Sequence, residues 1–137
     1  FDLVRKYLNI ETLRLGSRLN TEWDLKPLPS SARIPLLTLQ PLVENAIYHG
    51  IEPLAEGGTI KISATYADGQ ITFSIINPVN NASSSEHRGN QLAQENVRLR
   101  LVAHFGPRSG LQIHADQNYY RVTVSVPAEL DDAHSNR

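Results

Sequence analysis

The sequence contains no cysteine, no long apolar run and almost no net charge. Without cysteine there is neither a disulfide framework nor a thiolate metal site, and a reducing compartment is permitted. No apolar stretch approaches the roughly 20 residues that a membrane-spanning helix needs. Because the net charge is only −1, nothing favours general attraction to nucleic acid or to an anionic membrane surface. We therefore expect no direct nucleic-acid partner.

The residues that are present suffice for one globular core. Hydrophobic residues make up 40% of the 137-residue chain and charged residues 20%, which is typical of a soluble globular domain. A chain of this length buries about two-thirds of its unfolded surface when it folds. It opens at Phe1, without methionine or a helix cap and already inside a periodic pattern. We therefore expect it to be a piece of a longer protein.

The strongest pattern lies in residues 35–50, where apolar residues recur at helical spacing. They are Leu36, Leu39, Val43 and Ile47. A proline at the entrance and a glycine past the end complete the pattern of an amphipathic helix. Asn45 and His49 lie one turn apart and so share a face. Pro41 is tolerated if the helix begins near residue 37 or 38, because first-turn amides have no partner within a helix.

Periodicity elsewhere predicts two more helices and five strands. The helices cover 1–15 and 92–105, and the strands cover 19–25, 60–66, 71–75, 111–115 and 120–126. The pair Asp68-Gly69 predicts a hairpin turn. Residues 77–91 lack periodicity and are predicted to form a long loop, which in a compact domain is usually functional or disordered. This order predicts an α/β fold, a two-layer α/β sandwich whose mixed five-stranded sheet carries three helices on one face.

Two segments resemble a known family. LQPLVENAIYHG at 39–50 resembles the N-box of the ATP-binding domain of LytS-type sensor histidine kinases. YLNIETLRLG at 7–16 is similar to the segment that leads into their catalytic domain. The order of elements also matches the Bergerat ATP-binding fold, which these kinases share with gyrase and heat-shock chaperone ATPases. The resemblance covers roughly residues 5–127 and implies a kinase domain that binds ATP and Mg²⁺.

The resemblance implies a division of the chain and a cellular setting. Residues 1–16 would end a linker helix from an upstream dimerisation region, 17–128 would form the ATP-binding domain, and 129–137 would be a disordered tail. The whole protein would be a homodimer joined through upstream helices, with this domain on the cytoplasmic side of a bacterial inner membrane. Its partner would be a LytTR-type response regulator. Because the phosphoryl-accepting histidine is expected upstream, the fragment should bind nucleotide without autophosphorylating.

On the central helix the resemblance implies three roles. Asn45 matches the residue that coordinates the magnesium of bound ATP, and an amide oxygen completed by phosphate and water oxygens suits this cation. Glu44 is the candidate catalytic residue, which would order the attacking group or a metal-bound water. His49 is a candidate phosphate contact. The plainer alternatives are a buried structural amide, a solvent-facing carboxylate and a helix-terminal histidine favoured by the helix dipole.

The chain departs from the family pattern at the adenine box and in the glycine-rich lid. Asn77 stands where the pattern has the aspartate that reads the adenine amine. Its amide oxygen can still accept that hydrogen bond, without the charge assistance of a carboxylate. In the lid, Gly89 matches a phosphate-approach glycine, while Gln91 and Ala93 replace the next two. Gln94 replaces the leucine that follows.

The end of the lid motif is intact, and Asn96 within it is a further candidate for nucleotide binding. The plainer alternatives remain a turn residue for Asn77 and a bend in a loop for Gly89. The N-box departs once as well, with Tyr48 where the family commonly has a basic residue before the histidine. Loss of two lid glycines and of this cation should cost about 1–3 kcal/mol, or about ten- to a few-hundred-fold in nucleotide affinity. Such a loss weakens binding without abolishing it.

Two other classes of function stay open. The altered lid is compatible with a degenerate domain that no longer binds ATP and acts on its regulator by contact, although the retained Asn45 argues against this. A stand-alone ATPase of the gyrase kind would need a glutamate four residues before that asparagine. This chain has Pro41 there, which disfavours that class.

Overall fold

The computed structural model describes residues 2–27, 32–33, 36–51, 54–78, 84–115, 117–127 and 129–130. Within these ranges the helices are α1 (Asp2–Leu15), α2 (Leu36–Ala46) and α3 (Ser84–Phe105). The strands are β1 (Leu19–Leu25), β2 (Ala32–Arg33), β3 (Gly58–Ala67), β4 (Gln70–Pro78), β5 (Gly110–Ala115), β6 (Tyr119–Pro127) and β7 (Glu129–Leu130). A π-helical turn, Ile47–Ile51, continues α2, and single 3₁₀ turns follow α1 and α3.

Five strands form a mixed sheet in the order β1-β3-β4-β6-β5. The pair β1 and β3 is parallel, and the other three pairs are antiparallel. The predicted five-stranded mixed sheet with three helices is therefore confirmed. The turn at Asp68 and Gly69 has φ values of 55° and 76°. These suit the tight two-residue hairpin that their sequence predicts.

The core lies between the sheet and the helices. Side chains alternate along β4, so that Ile71, Phe73 and Ile75 are buried while their neighbours are partly exposed. The helices cover this face with buried apolar residues, among them Val43 of α2 and Val97 of α3. The opposite face is polar and is bridged by hydroxyl pairs such as the Oγ atoms of Ser63 and Ser74, 2.8 Å apart. The two faces follow from the period of two along each strand.

The predicted long loop is wrong over residues 77–78, which end β4, and over residues 84–91. Helix α3 begins at Ser84 rather than at Leu92, and residues 79–83 lie outside the described part of the chain. The extra turns are polar, with Gly89 among them, so they carry no apolar stripe from which a helix could be predicted. Once the packed half of a helix exists, extending it needs no new nucleation.

Two other differences concern the central helix and the end of the chain. Helix α2 begins at Leu36, so Pro41 lies inside it rather than in its first turn. The tail was predicted to be disordered from Glu129, but β7 pairs with β2 in a short antiparallel ladder. That pairing depends on main-chain hydrogen bonds, which side-chain polarity does not predict. Residues 131–137 lie outside the described residues.

Candidate nucleotide-binding site

Helix α2 carries the first two candidate residues. Its inward side is apolar and buried, with Leu42 3% and Val43 1% exposed. Asn45 is half-buried beside this stripe, and Glu44 is exposed. The amide of Gln40 donates to Glu44 Oε2 over 2.9 Å, one turn away. The structure therefore places a polar pair at the edge of the buried face, as the helical spacing predicts.

The π-helical turn after α2 brings Gly50 against Asn77. A Cβ atom built on Gly50 would lie 2.9 Å from Cγ of Asn77 and still closer to its Nδ2. Only glycine fits this approach without displacing the asparagine. The end of the N-box helix and the end of β4, distant in sequence, thus meet at one point. His49 belongs to the same turn, and its side chain lies outside the described set.

Asn77 is buried near the end of β4, with 5% of its side chain exposed. Its Nδ2 donates to the carbonyl oxygen of Pro78 over 2.8 Å. Because a carbonyl oxygen can only accept, this bond fixes which way the amide points. It leaves Oδ1 as the atom of this side chain that can accept a hydrogen bond from a ligand.

Gln94 is the other polar side chain that is buried in the described part of the chain, with 2% exposed. Its Nε2 donates to the hydroxyl of Tyr120, and Tyr120 lies opposite Asn77 in the register of β4 and β6. Both buried amides therefore adjoin one tyrosine. Burial raises the pKa of the Tyr120 hydroxyl, which the Gln94 hydrogen bond partly opposes. The hydroxyl is neutral at physiological pH.

Sequence reasoning noted Gln94 as a departure from the pattern but gave it no role. The signal was present, since Gln94 lies three residues before Val97 and seven before Leu101, both of which are buried. A polar residue in line with such a stripe occupies a core position. Its burial therefore requires a partner or a function.

The remaining candidates lie on α3. Gly89 is in the first half of this helix and not in a loop, and Asn96 is exposed. Arg98 donates to the carbonyl oxygen of Leu111 over 3.1 Å, which ties α3 to β5. Arg98 is thus part of the scaffold.

A further scaffold contact holds the segment after the π-helical turn. Arg18 donates to the carbonyl oxygens of Leu54 and Ile51, over 2.9 and 3.5 Å. Gly57, with φ of +74°, packs against the Arg18 main chain, where a Cβ would lie 2.5 Å from the carbonyl carbon. These contacts fix the position of the turn that carries Gly50. They join residues more than 30 apart in the chain, and no local pattern predicts them.

The described residues include no group of three or more His, Cys, Asp or Glu side chains that could hold a metal ion. A cation at Asn45 would thus take one neutral amide oxygen from the protein and the rest of its ligands from phosphate and water. Mg²⁺ retains several waters and binds in this manner, so the residues present fit it. None of the helices described here combines the length and apolarity required to cross a bilayer.

Comparison with known proteins gives related sequences and folds, although no family model matches the chain. The sensor histidine kinase YesM of Bacillus subtilis is 32% identical over 130 residues, covering 92% of this chain and 22% of YesM. The sensor protein LytS of Staphylococcus saprophyticus is 28% identical over 135 residues, covering 90% of the chain and 23% of LytS. The chain thus spans about a fifth of the length of these curated relatives.

Solved structures agree at the level of the fold. The nucleotide-free catalytic domain of the histidine kinase ThkA superposes with a TM-score of 0.67 at 14% identity, covering 95% of this chain and 94% of that domain. ThkA has also been solved in complex with the response regulator TrrA, where the TM-score is 0.64, at 14% identity, over 93% of this chain and 40% of the kinase chain. This chain is therefore homologous to a segment of sensor histidine kinases, LytS among them, and has the fold of a histidine kinase catalytic domain.

Proposed function

We propose that the chain is the ATP-binding catalytic domain of a two-component sensor histidine kinase. It would pass the γ-phosphoryl group of ATP to a histidine outside this sequence, from which a response regulator would receive it. The observation that carries the proposal is the meeting of Gly50, at the end of the N-box helix, with the buried amide of Asn77. Homology to sensor histidine kinases and the shared fold support it.

At the base end of the proposed site, Asn77 reads adenine. Its Oδ1 accepts a hydrogen bond from the exocyclic amine, since Nδ2 is already engaged by Pro78. The bond lacks the charge assistance of a carboxylate, so affinity should be modest. This arrangement supports the kinase hypothesis over a degenerate interaction domain, which has no need of a buried, oriented acceptor.

At the phosphate end, Asn45 is proposed to hold Mg²⁺ and Glu44 to orient the attacking group. When bound, the ion neutralises charge that develops on the transferred phosphoryl group. Glu44 is exposed and bonded to Gln40, so its carboxylate is accessible from solvent yet restrained. His49 and Gly89 are proposed phosphate contacts, and Asn96 is a further proposed nucleotide-binding residue.

The setting of the whole protein is also a proposal. Residues 1–16 would end a linker helix and 17–128 would be the nucleotide-binding unit. A homodimer would form through helices upstream, with the domain on the cytoplasmic side of a bacterial inner membrane. The ThkA–TrrA complex supports a response regulator as partner, and the relationship to LytS supports one of the LytTR type. The fragment alone should bind nucleotide without autophosphorylating.

Calorimetric titration with ADP and a non-hydrolysable ATP analogue, with and without Mg²⁺, tests the proposal. We expect binding that strengthens with Mg²⁺, and at least about tenfold weaker Mg²⁺-dependent binding for Asn45→Ala, which loses the metal ligand. The matched control is Asn20→Ala, an amide at an exposed position of β1, which should bind like the wild type. No binding at several millimolar nucleotide to a folded sample would contradict the proposal and favour the interaction domain.

A further inference from the structure

The described core holds two polar side chains, and both converge on one tyrosine. Of the described residues that are buried, Asn77 and Gln94 are the ones with polar amide side chains, at 5% and 2% exposed. Asn77 is the register neighbour of Tyr120 on the next strand, and Gln94 reaches the hydroxyl of the same tyrosine from α3. Two buried amides from different elements at one place are not required by the packing of an otherwise apolar core.

Gln94 keeps one polar atom unpaired. Its Nε2 is engaged by Tyr120, while Oε1 has no hydrogen-bond partner among the described residues and is closed off from solvent. A buried acceptor without a donor destabilises the folded state, so such groups are few in native proteins and call for an explanation. A donor supplied by a ligand is one such explanation.

The hydroxyl of Tyr120 restrains the orientation of this amide. Its oxygen accepts the hydrogen bond that Nε2 of Gln94 donates. Nε2 therefore points at the tyrosine and Oε1 points away from it. The Asn77 amide is oriented in the same sense, with its nitrogen bonded to Pro78 and its oxygen left as an acceptor.

We propose that Oε1 of Gln94 is a second acceptor for the exocyclic amine of the bound base, which makes Gln94 a determinant of specificity for adenine nucleotides. This inference rests on the proposed function. An adenine amine carries two N–H donors, and the site offers two amide oxygens, Oδ1 of Asn77 and Oε1 of Gln94. Two neutral acceptors would compensate for the absence of a carboxylate at position 77.

The test compares ADP with IDP, whose base carries a carbonyl in place of the amine, on the full chain with Mg²⁺. We expect the wild type to favour ADP by about 100-fold, because buried acceptors reject a ligand that lacks the donor. Gln94→Leu has nearly the same volume and no polar atom. It should weaken ADP binding about tenfold and leave IDP binding unchanged.

The melting temperature separates the two roles, because loss of a purely structural residue would lower it. Gln94→Leu removes the orphaned acceptor but also the hydrogen bond to Tyr120, so its effect on stability is measured in the Tyr120→Phe background, where that bond is already absent. There the melting temperature should equal or exceed that of Tyr120→Phe alone, while the ADP affinity falls. The matched control is Gln112→Leu, the same change at an exposed position of β5, which should alter neither nucleotide. Tyr120→Phe should reduce the ADP preference as well, since the amide loses its anchor.

The outcomes separate this inference from the proposed function. If ADP binds and Gln94→Leu lowers ADP and IDP affinity equally, or lowers the melting temperature of Tyr120→Phe, Gln94 is a structural residue and the inference is overturned. If the wild type does not discriminate ADP from IDP, it is overturned too. If no nucleotide binds to the folded wild-type chain, the proposed function fails first and this inference with it.

Discussion

Among the single residues of the proposed site, Gly50 should tolerate substitution least. Alanine there would place a Cβ 2.9 Å from Cγ of Asn77, a buried residue with little room to move. We expect Gly50→Ala to lower the free energy of unfolding by about 1–3 kcal/mol, as overpacking does, and to weaken ADP binding by displacing the base reader. Urea denaturation and calorimetry measure the two effects.

The control for this substitution is Gly110→Ala. A Cβ on Gly110 meets no atom within 4 Å, and its φ is not positive. It should therefore change the unfolding free energy by about 0.5 kcal/mol or less. If Gly50→Ala were as stable as Gly110→Ala and bound ADP normally, the contact with Asn77 would not exist in solution.

Tyr120 should make stability fall at high pH. Its pKa is raised, mainly by burial, so the folded state holds this proton more tightly than the unfolded chain does. The stability that this contributes is complete below the ordinary tyrosine pKa of about 10 and is lost as the pH rises through the raised value. We expect the free energy of unfolding to fall above about pH 10 more steeply for the wild type than for Tyr120→Phe.

Urea titrations of both proteins across this range measure the difference. The other tyrosines titrate in both and cancel. Equal slopes for the two proteins would mean that the hydroxyl is not shielded from water and does not anchor Gln94.

At the scale of elements, helices and strands were predicted correctly where a local sequence pattern determines them, and were missed where none does. The hairpin of β3 and β4 followed from alternation and from Asp68-Gly69, and α2 followed from its apolar stripe. The start of α3 was missed because its first turns are polar. The ladder of β2 and β7 was missed because two-residue strands leave no pattern.

The same distinction between local patterns and long-range contacts explains which parts of the proposed site could be predicted. The position of Asn45 on α2 follows from helical spacing, and Asn77 was recognised because it stands at the end of a predicted strand. The contact of Gly50 with Asn77 and the hold of Arg18 on Leu54 join segments far apart in sequence. Such contacts come from the tertiary fold, and a single sequence does not reveal them.

Helix α3 supports a prediction about its polar first half. If residues 84–91 are helical in solution, Gly89→Ala removes a poor helix former from a helix interior. We expect the nucleotide-free protein to gain about 0.5–1 kcal/mol of unfolding free energy. If Gly89 also approaches phosphate, the same variant should bind ADP more weakly.

Urea denaturation without nucleotide tests the helical claim by itself. A loss of stability for Gly89→Ala would indicate that the segment needs glycine's backbone freedom and is not a regular helix in solution. Calorimetry with ADP then tests the phosphate contact separately.

At the scale of the whole molecule, the two faces of the sheet differ in chemistry. The inner face carries the core and the buried amide of Asn77, and Gln94 reaches Tyr120 on this side from α3. The outer face carries hydroxyl pairs such as Thr72 with Ser125. The proposed base site therefore lies on the helical side of the sheet, where α2, α3 and the end of β4 meet. A ligand bound there should leave the outer face unaffected.

Nuclear magnetic resonance of the ¹⁵N-labelled chain titrated with ADP and Mg²⁺ tests this central claim most directly. We predict shifts of the Gly50 backbone amide and of the side-chain amides of Asn77 and Gln94, with Ser63 and Ser125 on the outer face unchanged. Shifts confined to the outer face, or none with several millimolar ADP, would contradict a nucleotide site at the end of the N-box helix.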